Sequence, residues 1–292
     1  MVQIGALGGV GRGIAGNFHA NERGLFARRA YASLVAKTRE AGSAFDQKSA
    51  LVVAPHQDDE TLGCGGTIAR KVQAGMEVSV VFLTDGGGSH AHLMPRERLS
   101  ELRRVEATEA CRVLGIPGSR IHFLDITDGA LAQSEARASD FVSQLLSSLR
   151  PEQVFIPHSE DILSDHVAAN RLVQKALRKR PRPTTVCEYP IWLWDRWPWT
   201  NPFAFPRQRH GGKSRAKFAR TAVDWRMYRH LTTRVDVATT LDTKLAALAA
   251  HRTQMARFDA RSEWLTLSDI DRGNWLSNSL GRYEFFRVRE YR

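Results

Sequence analysis

Between residues 50 and 190 short apolar runs alternate with longer amphipathic segments, and this alternation restricts the fold more than any other feature of the chain. ALVVAP (50–55), EVSVVFLT (77–84), IHFLDI (121–126), QVFIP (153–157) and TTVCEYP (184–190) have the length and character of strands buried within a parallel sheet. The segments 61–75, 96–115, 131–149 and 164–180 space their apolar residues as helices do. Gly115 and Pro117 mark the end of the second, and Ser164 is the expected N-cap of the last. Such an order predicts an α/β fold with a doubly wound, mostly parallel, Rossmann-like sheet and a C-terminal elaboration. The expected organisation is an N-terminal arm or helix at 1–45 and one large domain at 46–292. Within the latter, 50–190 is the core, about 191–235 an aromatic and basic insertion, and 236–292 a returning helix (about 241–257) and strand (RYEFFRVR).

Other classes are disfavoured by composition. With 42% hydrophobic and 25% charged residues the chain is an ordinary globular one, and no apolar run approaches the roughly 20 residues needed to span a bilayer. The opening MVQIGALGGVGRG lacks the features of a secretory signal, so a soluble, cytoplasmic protein is expected. Cys64, Cys111 and Cys187, odd in number and far apart, point to buried thiols. Gly11, Gly13 and Gly16 fit a dinucleotide-binding pattern, but no strand, helix and downstream acid follow in the required order. The net charge of +11 is concentrated in residues 171–235, where sixteen Lys or Arg face three acids. That segment suits an anionic partner or simply a solvated face.

In a doubly wound sheet, ligands gather at the carboxyl ends of the strands, where HQDDE, DGGGSH and HSEDILSDH all begin. Imidazole and carboxylate are good zinc donors, and a catalytic site combines three protein ligands with one open position. His56 and Asp59 can reach one ion across a tight turn, and His166, returning to the same sheet edge, is the natural third ligand. Asp58, between the first two, is placed to act as a base. The competing explanation is that Asp58, Asp59, Glu60 and Asp165 only stabilise helix N-termini, but two such clusters at strand ends favour a metal site. Asp85, Arg96 and Trp194 are the expected substrate contacts. Ser89 and His90 beside Asp85 suggest a nucleophilic triad only by adjacency, and His251 is expected to be a partly exposed, hydrogen-bonded helix residue.

These motifs resemble those of the LmbE-like, or PIG-L-like, N-deacetylases over about residues 50–180. Pro55-His56-Gln57-Asp58-Asp59-Glu60 is similar to the first family motif, Asp165-His166 to the second, and the TDGGG run and the RRVEATEACRVLG helix also look like the family. The resemblance implies Zn2+ held by His56, Asp59 and His166, Asp58 as general base, and removal of an acyl group, chiefly acetyl, from an amino-sugar conjugate. Family members often act on sugars attached to a lipid or another large group, and with the basic segment this leads to the expectation of a conjugate that is anionic or lipid-linked, with peripheral membrane contact and no nucleic-acid partner. Two departures stand out. Gln57 replaces a common Pro, and Leu163 occupies the place of a His credited with steadying the oxyanion, for which His158 or His251 could substitute. The alternatives are a zinc amidase acting on another amide or thiol conjugate, and a non-catalytic binder of anionic glycan or nucleic acid.

Overall fold

The computed structural model describes residues 25–179, 182–195, 199, 229–257 and 263–291. Helix α1 (Leu25–Lys37), the short strand β1 (Arg39–Glu40) and helix α2 (Ser43–Asp46) lead into the alternating core. That core runs β2 (Ala50–Ala54), α3 (Asp59–Gln73), β3 (Val78–Thr84), α4 (Arg96–Val113), β4 (Ile121–Ile126), α5 (Glu135–Leu149), β5 (Gln153–Pro157), α6 (Ser164–Arg178) and β6 (Thr184–Tyr189). Beyond it come β7 (Thr233–Asp236), α7 (Leu241–Ala250), α8 (Arg252–Met255), α9 (Asn274–Ser279) and β8 (Tyr283–Tyr291). Among the described residues no helix is long and apolar enough to cross a membrane.

The described strands form one sheet in the order β1-β7-β8-β6-β5-β2-β3-β4. Its neighbours are parallel except where β8 runs antiparallel to β6 and β7, so the fold is the expected α/β arrangement with the C-terminal strand inserted against the core. From β2 the chain winds outward through β3 and β4. It then returns to β5 on the opposite side of β2, and the carboxyl ends of β2 and β5 flank the switch point where such sheets bind ligands.

Side-chain alternation explains why the central strands β2, β3 and β5 are largely apolar and buried on both faces. Val52, Val80, Phe82 and Phe155 enter a core on one face with residues of α3, α4 and α7. Leu51, Val53, Val81, Val154 and Ile156 enter another on the opposite face with α5 and α6. All three cysteines are buried and free, as expected.

Several local expectations change. Leu163, not Ser164, occupies the N-cap of α6, and its apolar side chain offers no cap bond. The helix expected over 241–257 is broken at His251, whose ψ of 62° is not helical. Within α3, Cys64 departs from helical geometry (φ −151°), and the backbone N–H groups of Gly66 and Thr67 just beyond it donate to Glu284 of β8. Gly63 lets this stretch lie on the sheet, since a Cβ there would come within 2.3 Å of Tyr189.

Candidate active site and metal centre

The turn from β2 into α3 carries His56, Asp58 and Asp59, and the first turn of α6 brings His166 beside them. His56 Nδ1, Asp59 Oδ2 and His166 Nε2 form a nearly equilateral triangle: 3.4 Å from His56 to Asp59, 3.3 Å between the histidines and 3.2 Å from His166 to Asp59. An ion bound tetrahedrally at about 2.0–2.1 Å, as zinc is, separates its ligand atoms by about 3.3–3.4 Å. The donor types and their spacing therefore fit such an ion. These three residues are one of two groups, among the described residues, able to hold a metal. The other is His56 with Asp128 and Asp165.

That second group is better understood as support for the first. His56 presents Nδ1 to the triangle and Nε2 to Asp128 Oδ1 at 3.2 Å and Asp165 Oδ2 at 3.4 Å, the outer carboxylates that orient a ligand imidazole. Asp165 is held by the N–H groups of Gly129 and Leu131, and Asp128 by that of Gly88. His166 is oriented in the same manner, its Nδ1 lying 3.3 Å from Asp161 Oδ2. Asp161 in turn accepts the N–H groups of Ile162 and Trp192.

The carboxylates around the triangle favour positive charge there. Burial alone would push His56 and His166 towards the neutral form. Asp128, Asp165 and Asp59 nevertheless raise His56 well above its ordinary value, and Asp59 and Asp161 raise His166 to about 9. Burial would likewise raise Asp59, yet the imidazoles of His166 and His56 hold it well below the usual carboxylate range. A divalent ion satisfies the same carboxylates while leaving both rings neutral as ligands.

Asp58 stands apart from these three. Burial pushes its carboxyl up to about 6, against the pull of Arg103, whose Nη2 lies 3.3 Å from Asp58 Oδ2. Its side chain makes no cap bond to α3, so helix capping does not explain its presence. Its backbone holds a φ of 138°, which an L residue adopts only at a cost of about 1–3 kcal/mol, a kind of strain that clusters at functional sites. Arg103 also donates to the carbonyls of Gly86 (2.9 Å) and Gln57, tying α4 to both loops. Gly86 is required there. Its φ is +65°, and a Cβ would stand 2.0 Å from Gln57 Oε1.

The expected substrate contacts are distributed differently. Asp85 accepts the N–H groups of Gly87 and Asp128, so it shapes the loop that presents Asp128. Arg96 donates to the Asp128 carbonyl at 3.2 Å. Trp194 is buried, 2% exposed, packed edge-on against Trp199 and near Phe285. Ser89 meets His90 Nδ1 at 3.1 Å, but His90 Nε2 meets the Leu265 carbonyl and the ring stacks on Trp264, so Asp85 completes no triad.

Neither proposed replacement for the absent histidine joins the triangle. His158 Nδ1 accepts the N–H of Glu160, and its ring stacks on His230. His251 is buried rather than partly exposed, because its Nε2 meets Glu60 Oε1 at 2.9 Å. Trp197 and the cations Arg207, Arg209, Lys213, Arg215, Lys217 and Arg220 lie outside the described residues.

Arg103, Asp128 and Asp161 are the participants that sequence reasoning passed over, while Asp165 was placed in the second motif without a role of its own. One signal was available. Arg103 and Glu106 lie on the same stripe of α4 as the buried Leu99, Ala107 and Ala110, where charge needs a partner.

Fold and site together define a doubly wound α/β protein with a candidate His2Asp metal centre at the sheet's switch point. Residues 51–177 match the family described as PIG-L: GlcNAc-PI de-N-acetylase. That segment, somewhat under half of the chain, is what carries the PIG-L (LmbE-like) match. A diacetylchitobiose deacetylase of Thermococcus kodakarensis is 31% identical over 118 residues, covering 38% of this chain and 41% of that protein. The match thus spans less than half of that relative. A 1D-myo-inositol 2-acetamido-2-deoxy-alpha-D-glucopyranoside deacetylase of Mycobacterium sp. is 27% identical over 275 residues, 80% of this chain and 84% of that one. The solved N,N'-diacetylchitobiose deacetylase of Pyrococcus horikoshii shares the fold, with a TM-score of 0.60 at 20% identity over 84% of this chain and 85% of that one.

Proposed function

We propose that this protein is a zinc-dependent N-deacetylase that releases acetate from the N-acetyl group of an amino-sugar conjugate. The observation that carries this reading is the triangle of His56, Asp59 and His166 with the buried, strained Asp58 in the same turn. The relatives named for chitobiose and glucosaminyl-inositol substrates support an N-acetylglucosamine unit as the part recognised.

His56, Asp59 and His166 would hold the ion, while Asp128, Asp165 and Asp161 fix the two imidazoles. Zinc bound there supplies Lewis acidity towards the amide carbonyl and makes water a better nucleophile near neutral pH. Asp58 accepts a proton from the attacking water as the new C–O bond forms, then delivers it to the nitrogen as the C–N bond breaks. Free amine and acetate result. The carboxyl pushed up to about 6 suits a group that must both take and return a proton near neutrality. Arg103, bonded to the loops on either side of it, limits where that carboxyl can move.

The basic run that includes Arg207, Lys213 and Arg220 supports a further element of this proposal, recruitment of an anionic or lipid-linked conjugate by long-range attraction. Amine-release screening of zinc-loaded protein against N-acetyl sugars, acyl thiol conjugates and peptide-like amides tests the reading. Turnover confined to N-acetylglucosamine conjugates is expected. Turnover confined to the other amides would transfer the site to an amidase, and none at all would refute catalysis.

A further inference from the structure

Three residues on one face of α7 and its flanks touch α3 in succession. Thr240 Oγ1 donates to the Gly66 carbonyl at 3.0 Å and Lys244 Nζ to the Leu62 carbonyl at 3.0 Å. His251 Nε2 then reaches Glu60 Oε1 at 2.9 Å. The first two contacts dock the helix, and Lys244 is further anchored by Glu284 at 2.7 Å. The third ends on a residue next to the ligand Asp59.

Glu60 and His251 are 0% and 1% exposed, so neither is placed for solubility. Both oxygens of Glu60 are engaged. Oε1 meets His251 and accepts the Thr61 hydroxyl, while Oε2 accepts the backbone N–H of Asp58 at 3.0 Å. That N–H belongs to the residue whose φ of 138° must be held by its surroundings. A buried carboxylate fixed at one oxygen by an imidazole can present the other in only one place. His251 also lies beyond residues 51–177, outside the segment that matches the family.

We infer that His251 is a positioning residue for the reaction: it clamps Glu60, and Glu60 fixes the backbone of Asp58, and with it the placement of the Asp58 carboxylate beside Arg103. The inference rests on the reading of Asp58 as the base. A merely structural histidine would dock α7 as Thr240 does, without bearing on Asp58.

The test compares zinc-loaded full-length His251→Leu, His251→Gln, Thr240→Val and Asp58→Asn with wild type, on the N-acetyl substrate that releases amine fastest. His251→Leu should lower kcat about 10–100-fold, the range seen when support for a site residue is lost. Its KM and its zinc content should stay within about twofold of wild type, as expected for an interaction made chiefly in the transition state. His251→Gln, whose amide can still donate to Glu60, should recover much of that loss. Thr240→Val should lower the melting temperature and leave kcat unchanged. Independently of turnover and of metal, backbone amide exchange in a peptide spanning residues 55–62 should quicken in His251→Leu, read by mass spectrometry.

Wild-type kcat and exchange in His251→Leu would overturn the inference, as would equal losses in the Leu and Gln variants with zinc lost from both. Should His251→Leu fail to fold, Glu60→Gln carries the test, with the same kcat loss at full zinc content expected and normal kcat refuting it. Full turnover in Asp58→Asn would instead remove the base reading itself. An inactive Asp58→Asn beside a normal His251→Leu would remove only the positioning role.

Discussion

Replacing Arg103 by Met probes the electrostatic frame of the site. Arg103 is 3% exposed and donates to the carbonyls of Gly86 and Gln57 while facing the Asp58 carboxylate at 3.3 Å. Methionine keeps much of the volume but removes every donor. Leaving one partner of a buried ion pair costs about 3–5 kcal/mol, and each lost bond from a charged donor about 1.5–3 kcal/mol, with overlap between the two counts. A net loss of about 4 kcal/mol is expected. At roughly 2–4 °C per kcal/mol for domains of this order of size, melting should fall by about 10 °C. Arg103 also pulls the Asp58 pKa down against burial, so the acid limb of kcat/KM should move to higher pH in the variant. Arg103→Lys should restore charge but only part of the stability, because a single ammonium cannot span both carbonyls and the carboxylate. Calorimetry and a pH–rate profile on zinc-loaded protein provide the readings. A melting point within 2 °C of wild type, or about that much, with an unmoved acid limb would show that the frame around Asp58 has none of the strength assigned to it.

Asp161→Asn, which weakens the partner of His166 Nδ1, should reduce zinc affinity about 10–100-fold in a chelator competition; unchanged affinity would make Asp161 a loop residue only. His158 is buried, and burial holds it down at about 4 against an ordinary 6.5. Its unfolded form therefore takes up a proton the folded form refuses, so its contribution is complete above pH 6.5 and is lost as pH falls towards 4, on the order of 3 kcal/mol in all. His158→Gln should flatten the stability profile across that window relative to wild type, and parallel profiles would contradict the assignment. Changing Arg207, Arg209, Lys213, Arg215, Lys217 and Arg220 together to Gln should raise KM for an anionic conjugate with little change in kcat, and high salt should do the same to wild type. Identical responses from a neutral N-acetyl sugar would reduce the run to a solvated surface.

The core was legible because buried parallel strands leave an unbroken apolar signature and because His56, Asp58 and Asp59 are close in sequence. His166 could be added because α6 follows β5, and sheet winding returns β5 to the side of β2. What could not be seen depends on distance along the chain. Glu60 and His251 are 191 residues apart, and nothing in the local pattern of α7 distinguishes a buried, paired histidine from a half-exposed one. Asp165 illustrates a second limit. An acid in a first helical turn is ordinarily a dipole partner, and only the loop at Gly129 and Leu131 turns it towards His56. Trp194 illustrates a third, since an aromatic-rich run fits a groove lining and a core equally well until its neighbours are known.

Zinc stoichiometry measured alongside amine release, on wild type, His166→Ala and Asp58→Asn, reads the metal site and the base together. One zinc per chain and turnover are expected in wild type, loss of both in His166→Ala, and full zinc with turnover reduced by about 10²–10⁴ in Asp58→Asn. Full zinc and normal turnover in His166→Ala would contradict this expectation.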